Sequence, residues 1–287
     1  MSGYTILDVG DDRGVWLAAR RTVVTATDVA RLARGGAGVW AAIRAEKAGK
    51  DRSVRTWAMQ HGVDREPFIA SYAQAAFGLT PSKALLIASD RPEFGATPDA
   101  LNEKEVADFK TSVHDWESIN DAPGQYVDQS LWQQRVTGIH RGRLILEPHE
   151  NGIPLYPFPK DFVVEWDPDR VAHLESIADE FLASTTEPDA DAAELDALLS
   201  VYVTEKEAAD AAAARAERAK ADIEAHLGGK PRRFEGSLAN LTRSEDGVTQ
   251  RFDSAGFKKA HPVMYQEWLK STPRKGALTI TMRSSDD

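Results

Sequence analysis

Apolar positions recur along this chain with two different periods, and the change of period marks out its architecture. From Thr25 to Lys47 they fall at helical spacing, with Thr27 or Asp28 placed to cap the start. Residues 53–78 repeat the helical pattern, with Trp57, Ile69, Tyr72 and Phe77 as candidate core positions and a break expected at Pro67. The period then shortens. ALLIAS (84–89), FGATPDAL (94–101) and EVADFKTS (105–112) read as three strands. A helix over 123–137 follows, opened by Pro123 and closed before Gly138. RLILEP (143–148) and IPLYPF (153–158) read as a strand pair around Asn151-Gly152, a dipeptide suited to tight hairpin turns. An amphipathic helix over 167–184 ends this part.

Beyond a Pro- and Asp-containing linker at 184–194, residues 194–227 form one long helix with a sparse apolar face and an alanine-rich middle, stopped by Gly228-Gly229. Residues 231–287 read as a small α+β tail, with strands near 236–243 and 276–282 and a helix from Ser254 to Lys270. The expected fold is therefore α/β: a core over 1–185, in which helices flank a small mixed sheet, and a helical arm with a small tail over 186–287.

Composition narrows the chemistry. There is no cysteine among the 287 residues, so a disulfide scaffold, a zinc-thiolate site and a cysteine nucleophile are excluded. The polar start MSGYTILDVGDDRG does not resemble a signal peptide, and no apolar run has the length of a membrane span; a cytoplasmic protein is expected. The net charge of −10 argues against a non-specific DNA coat protein. Its distribution is uneven, because residues 185–230 carry eleven acidic against five basic residues and residues 231–287 carry ten basic against seven acidic.

The informative stretch is Pro98-Asp99 followed, after eight intervening residues, by Asp108-Phe109-Lys110. Alternate residues of a strand share a face, so Asp108 and Lys110 project together, and a hairpin-like return would bring Asp99 beside them. Two carboxylates on adjacent strands suit a hard divalent cation such as magnesium, which takes few protein oxygens and keeps several waters. A lysine beside it could orient or deprotonate a water, or steady charge on a phosphate. Taken alone, an Asp-x-Lys on an amphipathic strand is more often a solvated face. A charge pair within a strand that should be mostly buried needs a further reason. His61, His114 and His140 lack metal-ligand spacing, and GGAG (35–38) lacks the lysine of a nucleotide-binding loop.

Five segments taken in order resemble the λ-exonuclease and YqaJ-type viral recombinase family of PD-(D/E)XK nucleases, over roughly residues 15–185. They are VTATDV (24–29) with Thr27 in the place of a serine, HGVDREPFIASY (61–72) with Glu66, GATPDAL (95–101) with Asp99, EVADFKTS with Asp108 and Lys110, and PGQYVDQSLWQQRVTG (123–138) with Gln129. Asp108 departs from the glutamate more usual in the family and is one methylene shorter. The resemblance implies a restriction-endonuclease-like core in which Asp99, Asp108 and Glu66 bind Mg²⁺ (Mn²⁺ substituting) and Lys110 handles the attacking water. It implies that Gln129 orients Lys110 or the scissile phosphate, and that Thr27 with Arg20 or Arg21 holds a DNA 5′ phosphate. It also implies 5′-to-3′ digestion of linear double-stranded DNA, a single-strand annealing protein as partner, and a homo-oligomer. Two rival readings stay open: an endonuclease or single-strand nuclease of the same fold, and a non-catalytic module that binds DNA ends or a partner.

Overall fold

The computed structural model describes residues 3–7, 12–50, 56–274 and 276–281. The chain divides into two compact units, the first carrying residues up to Ala211 and the second beginning at Ala212. In chain order the first unit contains β1 (Tyr4–Leu7), α1 (Arg13–Arg21), α2 (Ala26–Leu32), α3 (Ala37–Lys47), α4 (Trp57–Phe77), β2 (Thr80–Pro81), β3 (Leu85–Ala88), β4 (Gly95–Ala96), β5 (Ala100–Leu101) and β6 (Val106–Ser112). There follow α5 (Gly124–Thr137), β7 (Arg141–Glu150), β8 (Ile153–Pro154), β9 (Lys160–Glu165), α6 (Pro168–Ala183) and the first part of α7 (Ala190–Leu227).

The central sheet has the order β2-β5-β6-β7-β8, with β9 also paired to β7. The pair β6–β7 is parallel and its other ladders are antiparallel. A second, antiparallel sheet has the order β1-β3-β4. Parallel neighbours need a crossover, and α5 provides it between β6 and β7. Alternation along β7 divides the core. Leu144 and Leu146 join the larger cluster with Trp132, Phe94 and Phe181, whereas Ile145 faces the smaller one with Ile69, Ala73 and Leu79. Helices thus cover both faces of a small mixed sheet, which is the restriction-endonuclease-like arrangement expected.

Gly142 sets how closely α5 approaches the sheet. A Cβ there would lie 2.0 Å from Ser130 Oγ and 2.6 Å from Gln134 Nε2, and the Gln134 amide donates to Val164 O at 3.0 Å across the same contact. On the opposite face Arg65 of α4 donates to both carboxylate oxygens of the buried Glu147 on β7, each at 2.6 Å. A buried carboxylate needs such a partner, and the bidentate geometry fixes the seating of the helix on the strand.

Several elements differ from expectation. The helix over 57–77 runs through Pro67 without a break. Pro67 and Val63 are both exposed, so a carbonyl deprived of its N–H donor is open to water. Trp57 is 56% exposed and is not a core residue. Thr25 rather than Thr27 or Asp28 caps α2, with Asp28 closing a capping box on the Thr25 backbone. FGATPDAL is two short strands in two sheets. Only Ile153–Pro154 of IPLYPF pairs, around the expected Asn151-Gly152 turn, where both residues have positive φ. The longer partner of β7 is β9, which the sequence pattern had not singled out, and β1 and α1 were also unforeseen.

The long helix α7 begins at Ala190, with the Asp189 N–H donating to Ala41 O at 3.2 Å and Ala193 buried against Ala42 and Ala45 of α3. The second unit holds the remainder of α7, a hairpin of β10 (Arg232–Glu235) and β11 (Asn240–Arg243), and the short helices α8 (Ser254–Ala260) and α9 (Pro262–Glu267). The single helix expected over 254–270 is split at His261-Pro262, because a residue preceding proline avoids helical geometry. Residues 276–281 form no strand. Among the described residues no helix is long and apolar enough to cross a membrane.

Candidate active site

Asp99 lies where the chain passes from one sheet to the other, between β4, which pairs with β3, and β5, which pairs with β6. Its N–H donates to Ala107 O at 3.0 Å, its carbonyl accepts from Ser82 N–H at 2.9 Å, and its Oδ2 accepts from Phe109 N–H at 2.7 Å. Backbone and carboxylate are therefore both fixed against β6. This is the return expected from the sequence, made by the short antiparallel pairing Ala100↔Ala107.

On β6, Ala107 belongs to the core cluster beneath α4 and Phe109 packs against that cluster. The alternate residues Asp108 and Lys110 therefore point to the side covered by α5. Lys110 Nζ forms an ion pair with Asp108 Oδ2 and donates to Gln129 Oε1 at 3.2 Å. Gln133 Nε2 donates to Asp108 Oδ1 at 3.3 Å, and the Lys110 ammonium lies 4.6 Å from the centre of the Tyr126 ring.

The electrostatics are those of a crowded acidic site. Burial, reinforced by the neighbouring Asp108, pushes the Asp99 carboxyl well above the ordinary carboxylate range, and the pull of Lys110 and of the Phe109 N–H does not offset it. Burial works against the charge on Lys110. Asp108 first and Asp99 second outweigh it, holding the ammonium above its usual value and therefore charged at neutral pH.

These groups open onto a cleft of about 440 Å³, whose walls bring together most of the residues singled out above: Asp99, Asp108, Lys110, Gln129, Glu66, Thr27 and Arg20. Glu66 arrives on α4 one turn after Gly62, another lining residue. Thr27 is the exposed residue in the otherwise buried first turn of α2, which is anchored by the Asp28–Lys47 ion pair at 2.8 Å. Arg20 stands in the last turn of α1 with its guanidinium 4.7 Å from the centre of the Trp16 ring. Arg21 does not line the cleft; it is exposed, and its guanidinium lies beside Gly49. Among the described residues no three His, Asp or Glu side chains stand close enough together to hold a metal, so Glu66 shares the cleft without completing a three-carboxylate group.

The donor set still suits a hard divalent cation. Asp99 and Asp108 offer carboxylate oxygens crowded enough to disfavour ionisation of Asp99, a charge that a cation would relieve, and magnesium needs few protein ligands. Two residues of the site escaped the sequence reading, Gln133 and Tyr126. The signal was present, because Tyr126, Gln129 and Gln133 fall on one face of α5.

A small mixed sheet flanked by helices, with two carboxylates and a lysine gathered from neighbouring strands at an open cleft, defines the restriction-endonuclease-like class. Residues 15–140, somewhat under half of the chain, match the model of the YqaJ-like viral recombinase domain. Solved structures similar to the chain include the alkaline exonuclease LHK-Exo from Laribacter hongkongensis, with 19% identity, a TM-score of 0.48, and coverage of 68% of this chain and 97% of that one. LHK-Exo in complex with dAMP is similar at 21% identity and a TM-score of 0.49, over 58% of this chain and 90% of that one. A phage related exonuclease from Haemophilus somnus is similar at 11% identity and a TM-score of 0.39, over 55% and 92% respectively. No curated protein matches the chain.

Proposed function

We propose that the chain is a magnesium-dependent exonuclease, with manganese as a substitute, that digests linear duplex DNA from its 5′ ends. The 3′ single strands it leaves would serve an annealing protein in phage-type recombination in the host cytoplasm. The observation that carries this reading is the shared cleft. Asp99, Asp108 and Lys110 line it together with Arg20 and Thr27, so a strand end and a scissile phosphate can be held at once. In this reading residues 1–185 form the catalytic core of a homo-oligomer, and residues 186–287 extend it.

Asp99 and Asp108 would hold the cation, with Glu66 reaching it directly or through water. Bound magnesium supplies Lewis acidity toward the phosphate and a more acidic water. Lys110, charged and held by Gln129, would orient the attacking water or meet the charge that develops on the phosphate oxygens. Arg20 and the Thr27 hydroxyl supply a cation and a donor for a terminal phosphate. The substrate is thereby oriented before reaction.

The test is digestion of linear duplex labelled at one 5′ end, with Mg²⁺ and with EDTA, beside closed circular duplex. Mononucleotides should leave from the labelled end in Mg²⁺ alone, and the circle should stay intact. Digestion in EDTA would overturn the metal-dependent reading. Release from the 3′ end first would overturn the polarity, and cutting of the circle would favour the endonuclease rival.

A further inference from the structure

Helix α5 presents a stripe of three side chains to the strand that carries Asp108 and Lys110. Tyr126, Gln129 and Gln133 are three and then four residues apart, which places them along one side of the helix. Gln129 accepts from Lys110 at 3.2 Å and has its place in the reading above. Tyr126 and Gln133 complete the stripe on either side of it.

We propose that Tyr126 and Gln133 are positioning residues, the Tyr126 ring seating the Lys110 ammonium and the Gln133 amide holding the Asp108 carboxylate toward the cleft. The proposal rests on Asp108 and Lys110 being the reactive groups.

The geometry at Lys110 is the first support. A lysine side chain is long and flexible, and its head must be restrained if it is to act at one place. Asp108 and Gln129 bind two sides of the ammonium, and the face of Tyr126, 4.6 Å from Nζ at the ring centre, closes a third. A cation held over an aromatic face in a desolvated site gains more than one in water.

The geometry at Asp108 is the second. Its Oδ2 meets Lys110 and its Oδ1 accepts from Gln133 at 3.3 Å, so the carboxylate is gripped through both oxygens. Gln133 is 3% exposed, and among the described residues its own Oε1 has no hydrogen-bond partner. An amide buried at that cost is poor packing material, since an apolar side chain of the same length would leave no orphaned acceptor. What the amide provides is the N–H donated to Asp108. A hydrogen bond behind a reactive carboxylate is the kind of contact whose loss lowers activity without touching substrate.

Packing and positioning make different demands. Packing needs shape, whereas positioning needs the ring face at 126 and the N–H at 133. The experiment compares full-length Tyr126→Phe, Tyr126→Leu and Gln133→Met on linear duplex DNA in Mg²⁺, with Asp108→Ala as the reference. Tyr126→Phe keeps the ring and should recover kcat to within about twofold of the parent, while Tyr126→Leu should lose about tenfold. Gln133→Met should lose about ten- to a hundredfold in kcat. KM should stay within about twofold throughout, and melting temperatures within about 3 °C, the equivalent of roughly 1 kcal/mol. Should Tyr126→Leu fail to fold, Tyr126→Met gives the same comparison.

Full kcat in Tyr126→Leu and Gln133→Met, with Asp108→Ala inactive, overturns the positioning role alone. The same follows if Tyr126→Phe falls as far as Tyr126→Leu, or if the losses track melting temperature. Normal cleavage by Asp108→Ala sinks the assignment of the site, and the positioning role with it.

Discussion

Phe109, the residue between Asp108 and Lys110, donates its backbone N–H to Asp99 Oδ2 at 2.7 Å. The strand carrying two of the expected reactive groups thus fixes the third through its own main chain. Alanine at Asp99, Asp108 or Lys110 should each lower the rate at least about a hundredfold, the scale on which removal of one catalytic group is felt. Single-turnover digestion of linear duplex in Mg²⁺ measures this, and near-normal cleavage by Lys110→Ala would place the site elsewhere.

The same carboxylate should be a liability when no cation balances it. Its pKa is raised in the folded chain, first by burial and then by Asp108. The folded state therefore binds a proton that the unfolded state releases, and stability falls as pH rises from the ordinary carboxylate range through the raised folded value. Above that value the cost is fully present. Asp99→Asn should raise the melting temperature in EDTA at neutral pH, by about 2–4 °C for each kcal/mol relieved. It should also flatten the pH dependence. A melting temperature equal to or below that of the parent would contradict this account.

Asp28 should behave in the opposite sense. Burial opposes its charge, but Lys47, followed by the Thr25 N–H and hydroxyl, outweighs burial and holds its pKa below the usual range. Its contribution is complete above about pH 4, the unfolded carboxylate value, and is lost as pH falls through the depressed folded value. Replacement by Ala strands Lys47 and opens the capping box, so urea unfolding at pH 7 should show a loss of about 3 kcal/mol. The gap between variant and parent should narrow below pH 4.

The two arginines at the end of α1 should separate. Arg20 lines the cleft, and Arg21 lies beside Gly49 instead. Arg20→Ala should erase any preference for a 5′-phosphorylated over a 5′-hydroxyl end while leaving basal cleavage, and the loss should be milder in low salt. Arg21→Ala should keep the preference. Competition between the two duplex ends reads out both variants, and loss of preference in Arg21→Ala alone would reverse the assignment.

The central elements were legible because periodicity reports burial. EVADFKTS alternates along β6, and α5, α6 and α7 follow helical spacing closely. Asp108 and Lys110 stood out because alternate strand residues share a face, with Asp99 brought beside them by a return of the chain, whereas Gln129, Glu66 and Thr27 were singled out only by the resemblance of their segments to a known family. What stayed hidden depends on tertiary context. FGATPDAL is apolar enough for one strand, yet it changes sheets at Thr97-Pro98, and no local pattern encodes that. Pro67 predicts a break only where the freed carbonyl lacks water. Tyr126 and Gln133 look like ordinary helix residues until Lys110 and Asp108 are seen opposite them.

The placement of Asp99, Lys110 and Gln133 within one short stretch of chain has an evolutionary consequence. Most of the groups expected to do chemistry come from a contiguous cassette running from the β4–β5 link through β6 to α5, with Glu66 added from α4, whereas Arg20 and Thr27 reach the cleft from α1 and α2. On the proposed function, cutting and strand-end recognition lie largely on different pieces of sequence. Drift or recombination in α1 and α2 can retune which ends are accepted without disturbing the cassette that cuts them.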